Sequence, residues 1–376
     1  MSHLRRHIKN PAKPGVRINL NKNPEALRAS YRGQFKPFDG IFGCDLRPSK
    51  KDNSFRGTLF RFPLRTREQA RRSEIKQLYY NDQEMRKLLR MLLEGAESFL
   101  LFTQNILRVG IYNLPCASSP DAPLLLFQVT KSLSSVGILR ELSSYVTLPT
   151  TAEKLSKEEK RLLQESNFLQ VASRFMEDLR NDRADVSNSP QSSVSIEINC
   201  NLTKRGVDVF GGGLRCGHEK TTWLVVSSMG RGKAMSFIMD HHDTTLVPTA
   251  GVAVRLISRG LDVYVPSPVV KNIDGVEVNG SVFCYLPLPI HSGLPVHING
   301  AFAVAADRRN LERKVEDDKS CHGVNWNKVL MEDSVCTAYL TLLDDLKSLV
   351  THGDSYQFHL LWPKSSTVQR SEERRV

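Results

Sequence analysis

Two glycine-rich stretches are the first places where this sequence could do chemistry, because successive glycines let backbone N–H groups surround a phosphate. A phosphate-binding loop requires glycine, four residues, and then Gly-Lys followed by Ser or Thr. Here Gly232 and Lys233 are followed by Ala234, and Ser227 occupies the position that needs the first glycine. The three glycines at 211–213 lack the spacing of a dinucleotide-binding loop. We therefore predict that both stretches are surface loops or hairpin turns that bind no nucleotide.

Side chains that bind metals or act as nucleophiles occur without the spacing that such sites need. The nearest Cys and His pairs lie at residues 216–218, 241–242 and 321–322, and no CxxC or HExxH motif is present. A structural zinc site needs four ligands in two recognisable pairs. Adjacent histidines on an extended backbone point to opposite sides. With no GxSxG motif either, the sequence predicts no metal site and no hydrolase.

Two adjacent arginines, Arg308 and Arg309, end a long apolar and turn-rich stretch, LPLPIHSGLPVHINGAFAVAADRRNL. The guanidinium group has a planar fork and a permanent charge, which together match phosphate oxygens. A packed strand segment with small residues before the pair would hold both side chains rigidly. The alternative is that the two arginines bridge to acidic residues of a nearby helix, such as Glu332 or Asp333.

The elements that must position these residues follow a mixed pattern. Residues 1–66 predict loops and two strands, FDGIFGCDL and GTLFRFPLRT. In the second strand Phe60, Phe62 and Leu64 share an apolar face, which should pack on a core. Helical spacing of apolar residues follows in 67–107, at Met85, Leu88, Leu89, Leu92 and Leu93.

The rest of the chain alternates between strand and helix signals. RVGIYNL and PLLLFQVTKS predict a hairpin, residues 153–185 predict helix, and SVSIEINCNL and TTWLVVSSM predict strands. The composition of TTWLVVSSM indicates a strand buried on both faces. Strands and turns continue to Arg309, and the chain is then helical through WNKVLMEDSVCTAYLTLLDDLKSLV.

Composition and charge restrict the class of protein. The chain has 376 residues, which suggests two or three domains, and its 40% hydrophobic and 24% charged residues are normal for a globular protein. It has no membrane-spanning apolar run and no signal peptide, so its seven scattered cysteines predict reduced thiols in a cytoplasmic or nuclear compartment, of which we expect the cytoplasm.

The net charge of +12 is concentrated near one end. Residues 1–72 hold 18 Lys and Arg against 5 Asp and Glu, a net of +13, and the remainder is close to neutral. Such a segment could attract nucleic acid, anionic lipid or an acidic protein, or could be a solvated face. Because no nucleic-acid-binding signature accompanies it, nucleic acid is not the expected partner.

The order of several segments resembles the sacsin repeat over most of the chain. The segments include GTLFRFPLRT, YNDQEMRKLL, TTWLVVSSM and FCYLPLPIHSGLPVHINGAFAVAADRRNL. The resemblance implies a GHKL-type ATPase module, like that of the ninety-kilodalton heat-shock chaperone, followed by a middle-type α/β region. It also implies a cytosolic co-chaperone that binds protein clients and works with the seventy-kilodalton heat-shock chaperone system.

The same resemblance implies roles for four residues. Only Gly57 and Thr58 match a nucleotide-binding motif, and they cannot hold ATP alone, since Mg²⁺ and adenine would have no ligands. We therefore expect a turn into a strand there, with ATP and Mg²⁺ bound only if a partner chain supplies a missing first half of the module. By analogy with the middle-domain arginine of the ninety-kilodalton chaperone, Arg308 and Arg309 would sense the γ-phosphate.

These observations combine into one expectation, an α/β (α+β) protein. Its predicted parts are a GHKL-type ATPase remnant (1–66), a helical connector (67–110), a mixed-sheet middle-type region (111–310), a C-terminal helical segment (311–364) and a disordered tail (365–376). The expected function is that of a sacsin-like chaperone or co-chaperone that binds proteins through exposed apolar surface without turning over ATP. The alternatives are a vestigial ATPase completed by a partner chain and a nucleic-acid binder that uses the basic region.

Overall fold

The computed structural model describes most of the chain. The described residues are 29, 33, 36–44, 55, 57–74, 76–114, 123–142, 146, 148, 150–211, 213–260, 263–273, 276–313, 322–349 and 358–363. The chain forms two compact units, one made of residues 1–81 and 113–124 and the other of residues 82–112 and 125–376.

Short helical turns and irregular chain make up the described part of the first unit. The chain forms 3₁₀ turns at Lys36–Phe38 and Ile41–Gly43 and an α-helix, α1, at Arg67–Arg71. Thr66 begins this helix with a capping box. Its hydroxyl accepts the N–H of Gln69 at 3.3 Å, and its own N–H donates to the Gln69 side chain at 2.9 Å.

The two strands that the sequence predicts between residues 38 and 66 are absent among the described residues of this unit. Residues 36–43 form 3₁₀ turns instead, and residues 57–66 are extended but belong to no strand. No backbone hydrogen bond among the described residues involves residues 58–65. The prediction was wrong because an alternating pattern makes a strand only where a neighbouring strand pairs with its N–H and C=O groups.

Nine strands of the second unit form one mixed sheet. The eleven strands described in the chain are β1 (Arg108–Asn113), β2 (Leu124–Arg140), β3 (Gln191–Leu202), β4 (Gly217–Met229), β5 (Thr249–Gly260), β6 (Val263–Ser267), β7 (Val270–Ile273), β8 (Val276–Asn279), β9 (Ser281–Cys284), β10 (Leu286–His291) and β11 (His297–Gly300). The order in the sheet is β1-β2-β3-β4-β5-β11-β9-β10, and β6 pairs with β5 outside this order. Strands β2 to β5 run antiparallel, whereas β11 is antiparallel to β5 and parallel to β9. Strands β7 and β8 form a separate antiparallel pair.

Helices cover the sheet. They are α2 (Asp82–Glu94), α3 (Ala96–Phe99), α4 (Lys157–Ser166), α5 (Phe168–Arg180), α6 (Lys204–Phe210), α7 (Lys233–His241), α8 (His322–Leu330) and α9 (Cys336–Leu349). A capping box between Ser156 and Glu159 begins α4. A π-helical turn, Met331–Val335, joins α8 to α9. The helical segments that the sequence predicts are confirmed, and the mixture of helices with a mixed sheet confirms the α+β class.

Both faces of the central strands are buried, as the composition of β4 predicted. Side chains alternate across a strand, so Trp223 and Leu224 point to opposite faces. Leu224 belongs to a core that includes residues of α5, α7, α8 and α9, and Trp223 to a second core that includes residues of α3, α4 and α6. Each of these two side chains is at most 2% exposed. The sheet is therefore the middle layer of the second unit.

None of the helices in the described part of the chain combines the length and the apolar character needed to cross a bilayer. The five cysteines in that part, Cys44, Cys200, Cys216, Cys284 and Cys336, form no disulfide. Within the same residues, no three His, Cys, Asp or Glu side chains are grouped as a metal site would require.

Candidate functional site

The predicted nucleotide remnant lies at an exposed bend of the first unit. Gly57 has a φ of +143°, and its N–H donates to the carbonyl of Phe55 at 3.1 Å. A side chain at this position would be strained by that φ and would also meet the ring of Phe55. Thr58 follows and is exposed. The bend is present as expected, but the chain that leaves it is not a strand.

An apolar surface follows this bend and forms the candidate site. We call residues 58–66 the exposed segment. Its three large apolar side chains at alternate positions, Phe60, Phe62 and Leu64, are 72%, 82% and 54% exposed. The rings of Phe60 and Phe62 stack on one another with centroids 6.1 Å apart. Alternation alone predicts that this face packs on a core, whereas a sacsin-like module without its first half is expected to leave apolar surface uncovered. The structure leaves the face open.

Arginines alternate with these apolar residues and continue beyond them. Arg61 lies between the two phenylalanines and is exposed, and the Arg65 side chain donates to the hydroxyl of Ser73. Arg67 places its guanidinium 5.8 Å from the centre of the Tyr79 ring. From Gly57 to Arg72 the chain carries five arginines and one glutamate. The candidate site thus combines apolar side chains, unpaired backbone and positive charge.

Arg308 and Arg309 lie at the tip of an exposed turn in the second unit. Val304 and Leu311 form a bridge that closes the turn. The N–H of Arg308 donates to the carbonyl of Ala305 at 2.8 Å, and the N–H of Arg309 donates to the carboxylate of Asp307 at 2.9 Å. Arg308 itself has a left-handed backbone, with a φ of +54°. Both arginines are exposed, and their turn follows the buried strand β11 in the chain.

The charge of Arg308 acts on a neighbouring thiol of β9. Burial raises the pKa of Cys284, and the positive charge of Arg308 opposes this rise. Glu332 and Asp333, the alternative partners in the sequence analysis, are engaged elsewhere. Glu332 pairs with Lys233 at 2.7 Å, and Asp333 accepts hydrogen bonds from the chain before α7. Within the described part of the second unit, no carboxylate forms an ion pair with the guanidinium group of Arg308 or Arg309.

The Gly-Arg-Gly-Lys stretch forms a surface loop, one of the two predicted forms, and not a hairpin turn. Gly230, Arg231 and Gly232 connect β4 to helix α7, and Arg231 and Gly232 are exposed. The carboxylate of Asp333 occupies the N-terminus of that helix. It accepts hydrogen bonds from the N–H groups of Gly232 and Ala234, both at 2.9 Å, and from that of Arg231 at 3.3 Å.

An anion does occupy this loop, but the anion is a side chain of the same protein. The free N–H groups at a helix N-terminus favour negative charge, and a carboxylate satisfies them as a phosphate would. A Cβ at Gly230 would lie 2.8 Å from this carboxylate and 2.5 Å from the Ser334 hydroxyl, so the loop needs glycine there. The glycine pair was the sequence signal for an anion-binding loop. Asp333 could not be assigned as the anion from spacing, because it lies about a hundred residues away.

The three glycines at 211–213 also differ from the hairpin that was predicted. Helix α6 ends at Phe210, and Gly211 follows it with a φ of +65°. Its carbonyl accepts a hydrogen bond of 2.7 Å from the Arg90 side chain of α2. This glycine therefore ends a helix rather than opening one, in agreement with the absence of a dinucleotide-binding fingerprint.

Comparisons with known proteins agree with the resemblance seen in the segments. The family model described as "Sacsin domain" matches residues 1–123. Human "Sacsin" is 29% identical over 401 residues, an alignment that covers 98% of this chain and 8% of that protein. The chain thus spans about 8% of the length of this curated relative. No solved structure matches.

Proposed function

Because the chain is sacsin-like over almost its whole length, we propose that it acts as a chaperone or co-chaperone by binding other proteins. The observation that carries this proposal is the exposed segment, where Phe60, Phe62 and Leu64 present large apolar side chains to solvent. Contiguous exposed apolar groups are typical of protein-binding sites. The proposal includes no ATP turnover, because only Gly57 and Thr58 correspond to a nucleotide-binding motif.

The backbone of the exposed segment favours one mode of binding. Among the described residues, the N–H and C=O groups of residues 58–65 have no backbone partner, and the side chains of the segment already alternate as in a strand. An extended partner can pair with such a chain by adding a strand, which gives affinity through the backbone and selectivity through alternate side chains. Pro63 has no N–H to donate, so pairing would centre on residues 58–62.

The positive charge around the exposed segment indicates the chemistry of the partner. The five arginines between Gly57 and Arg72 would attract an extended chain that carries acidic residues beside apolar ones. Unfolded client proteins expose chains of this kind. By resemblance to the sacsin repeat, we also propose the cytoplasm as the location and the seventy-kilodalton heat-shock chaperone system as a partner.

Binding of a labelled peptide to the 376-residue chain tests the proposal. The probe is a fluorescein-labelled peptide of twelve residues that alternates valine with aspartate, followed by anisotropy. We expect the double variant Phe60→Ser/Phe62→Ser to raise Kd at least about tenfold, because each ring contributes roughly 1.5 kcal/mol or more when it is buried. The same variant should also protect an unfolding client from aggregation less well.

A matched control uses exposed apolar residues elsewhere in the chain. Met91 and Leu340 are 69% and 61% exposed, so Met91→Ser/Leu340→Ser removes a similar apolar surface outside the exposed segment. This control should leave the Kd for the peptide unchanged. Adding Mg·ATP should not alter the Kd of either double variant. Equal peptide affinity in the two double variants would contradict the proposed site, and an effect of Mg·ATP would favour the ATPase alternative.

A further inference from the structure

A polar cavity in the second unit is used by no part of the proposed function. It has a volume of about 50 Å³. Apolar and polar side chains both line it, and the polar ones include Glu165, Ser192, Ser227, Thr249, Tyr285 and Asn299. Apolar cavities in proteins stay empty, whereas polar cavities of this size hold guests, since about 10–15 Å³ is enough for one water molecule.

Tyr285 supplies the strongest indication of a guest. Its hydroxyl oxygen is buried and has no hydrogen-bond partner of proper geometry among the described residues. The nearby Thr249 hydroxyl lowers the pKa of Tyr285, but burial has the larger effect and raises it. Buried tyrosine hydroxyls usually find a partner, so a group that the protein itself does not supply is expected next to this oxygen.

The backbone at Tyr285 is held in an unusual conformation that places this side chain. Its φ is +61°, in the left-handed region that residues other than glycine rarely adopt. The Asn299 side chain accepts the N–H of Tyr285 at 2.8 Å and so fixes the conformation from β11. Strained backbone of this kind persists where the surroundings require it, and it is concentrated at binding sites.

Glu165 supplies a second polar group to the same cavity. The residue is 9% exposed, and its Oε2 accepts the N–H of Leu142 at 3.0 Å and the hydroxyl of Ser192 at 3.4 Å. Among the described contacts Oε1 accepts none. Burial raises the pKa of Glu165, because desolvation penalises a charged group. The same desolvation would penalise a charged guest, so the cavity suits a neutral guest better than a charged one.

We propose that this cavity is a binding site for a small uncharged guest of about three or four non-hydrogen atoms, hydrogen-bonded to the Tyr285 hydroxyl and the Glu165 carboxyl. Two sources share this chemistry. One is a cluster of ordered water molecules, and the other is a single small organic molecule with hydroxyl or amide groups. The guest satisfies the Tyr285 hydroxyl that the fold buries without a partner.

A crystal structure of the 376-residue chain, grown without small organic additives, is the first test. We expect electron density about 2.7–3.2 Å from the Tyr285 hydroxyl. Separate peaks identify ordered water, and one continuous feature identifies an organic molecule retained through purification, so either result supports the proposal. An empty cavity, or one closed by movement of Tyr285, overturns it.

A pair of tyrosine variants tests the same proposal in solution. Tyr339 is a matched control, because its hydroxyl is also buried but donates to the carbonyl of Leu361. Tyr339→Phe should lower Tm by about 2 °C, the usual effect of losing a satisfied hydrogen bond. With a guest present, Tyr285→Phe should lower Tm by a similar amount. If Tyr285→Phe instead raises Tm, the hydroxyl has no partner in solution and the proposal fails.

Discussion

At the scale of single residues, Lys131 of β2 is a buried lysine, which the alternating pattern of a strand does not predict. The side chain is 3% exposed, and its ammonium group donates to the carbonyl of Thr103 at 2.6 Å and to the hydroxyl of Ser166 at 3.3 Å. No carboxylate pairs with it among the described residues. Burial therefore lowers its pKa from the ordinary value of 10.5 to about 7. A lysine in a strand normally indicates a solvated position, and here it joins β2 to the end of α4.

This buried lysine makes the stability of the second unit depend on pH. Between pH 7 and 10.5 the unfolded lysine binds its proton and the folded lysine does not, so stability rises with pH in that window. We expect the free energy of unfolding to rise by roughly 2 kcal/mol from pH 7 to pH 9. Tryptophan fluorescence during urea unfolding measures it, since Trp223, Trp326 and Trp362 all belong to the second unit.

The control for this prediction is a second lysine on the same sheet. Lys131→Met should remove the rise between pH 7 and 9. Lys220→Met should preserve it, because the Lys220 side chain is 57% exposed and pairs with Glu197. The measurement stops at pH 9 because burial raises the pKa of Cys200 to about 11, so that above pH 9 this thiol contributes an opposite slope that offsets the one from Lys131. A rise that persists in Lys131→Met would contradict the assignment.

At the scale of elements, the π-helical turn between α8 and α9 connects distant parts of the second unit. It presents two consecutive acidic residues to α7, where Asp333 caps the helix N-terminus and Glu332 pairs with Lys233. The next residue, Ser334, donates to the carbonyl of Pro248 at 2.9 Å, just before β5. One turn thus fixes both a helix N-terminus and the entry to a central strand.

Removing the charge of Asp333 should therefore weaken the second unit. We expect Asp333→Asn to lower the free energy of unfolding by about 1–3 kcal/mol, because three N–H groups lose a charged acceptor at a helix N-terminus. Glu332→Gln is the matched control. It weakens the solvent-exposed ion pairs of Glu332 with Lys233 and Lys328 and should cost no more than about 1 kcal/mol. Urea unfolding followed by tryptophan fluorescence measures both, and equal losses would show that the helix cap is unimportant.

At the scale of the whole molecule, charge and apolar exposure coincide in one region of sequence. The basic excess lies in residues 1–72, which include the exposed segment, while the remainder of the chain is close to neutral. In the second unit, Arg308 and Arg309 form a small positive turn. Whether this turn serves a nucleotide depends on Mg²⁺ and adenine ligands, and the sequence offers no motif for either.

Titration of the whole chain with Mg·ATP by calorimetry addresses that question. We expect no saturable heat at millimolar nucleotide, because two exposed arginines alone do not hold a nucleotide. Should saturable binding occur, Arg308→Ala/Arg309→Ala should abolish it if the turn senses phosphate. Arg259→Ala/Arg313→Ala, which removes two other exposed arginines, is the control of equal charge. Saturable binding that requires Arg308 and Arg309 would replace our proposal with the ATPase alternative.

Local patterns in the sequence were sufficient for the class of fold and for many of its elements. The apolar run of β4, the helical spacing around Leu89 and the start of the C-terminal helices all correspond to observed elements. Burial on both faces of β4 was also predictable, because a strand covered on both sides loses its polar positions. Charge distribution and the resemblance to the sacsin repeat likewise needed no structure.

Only the tertiary structure decided which groups meet. The sequence predicted a strand in the exposed segment, but strand formation depends on a neighbour that no local pattern specifies. The glycine pair before α7 indicated a place for an anion, but the anion is Asp333, which folding brings from about a hundred residues away. Lys131 and Tyr285 acquire their unusual surroundings in the same way. Propensity and periodicity are local properties, whereas pairing, desolvation and cavities depend on contacts between distant segments.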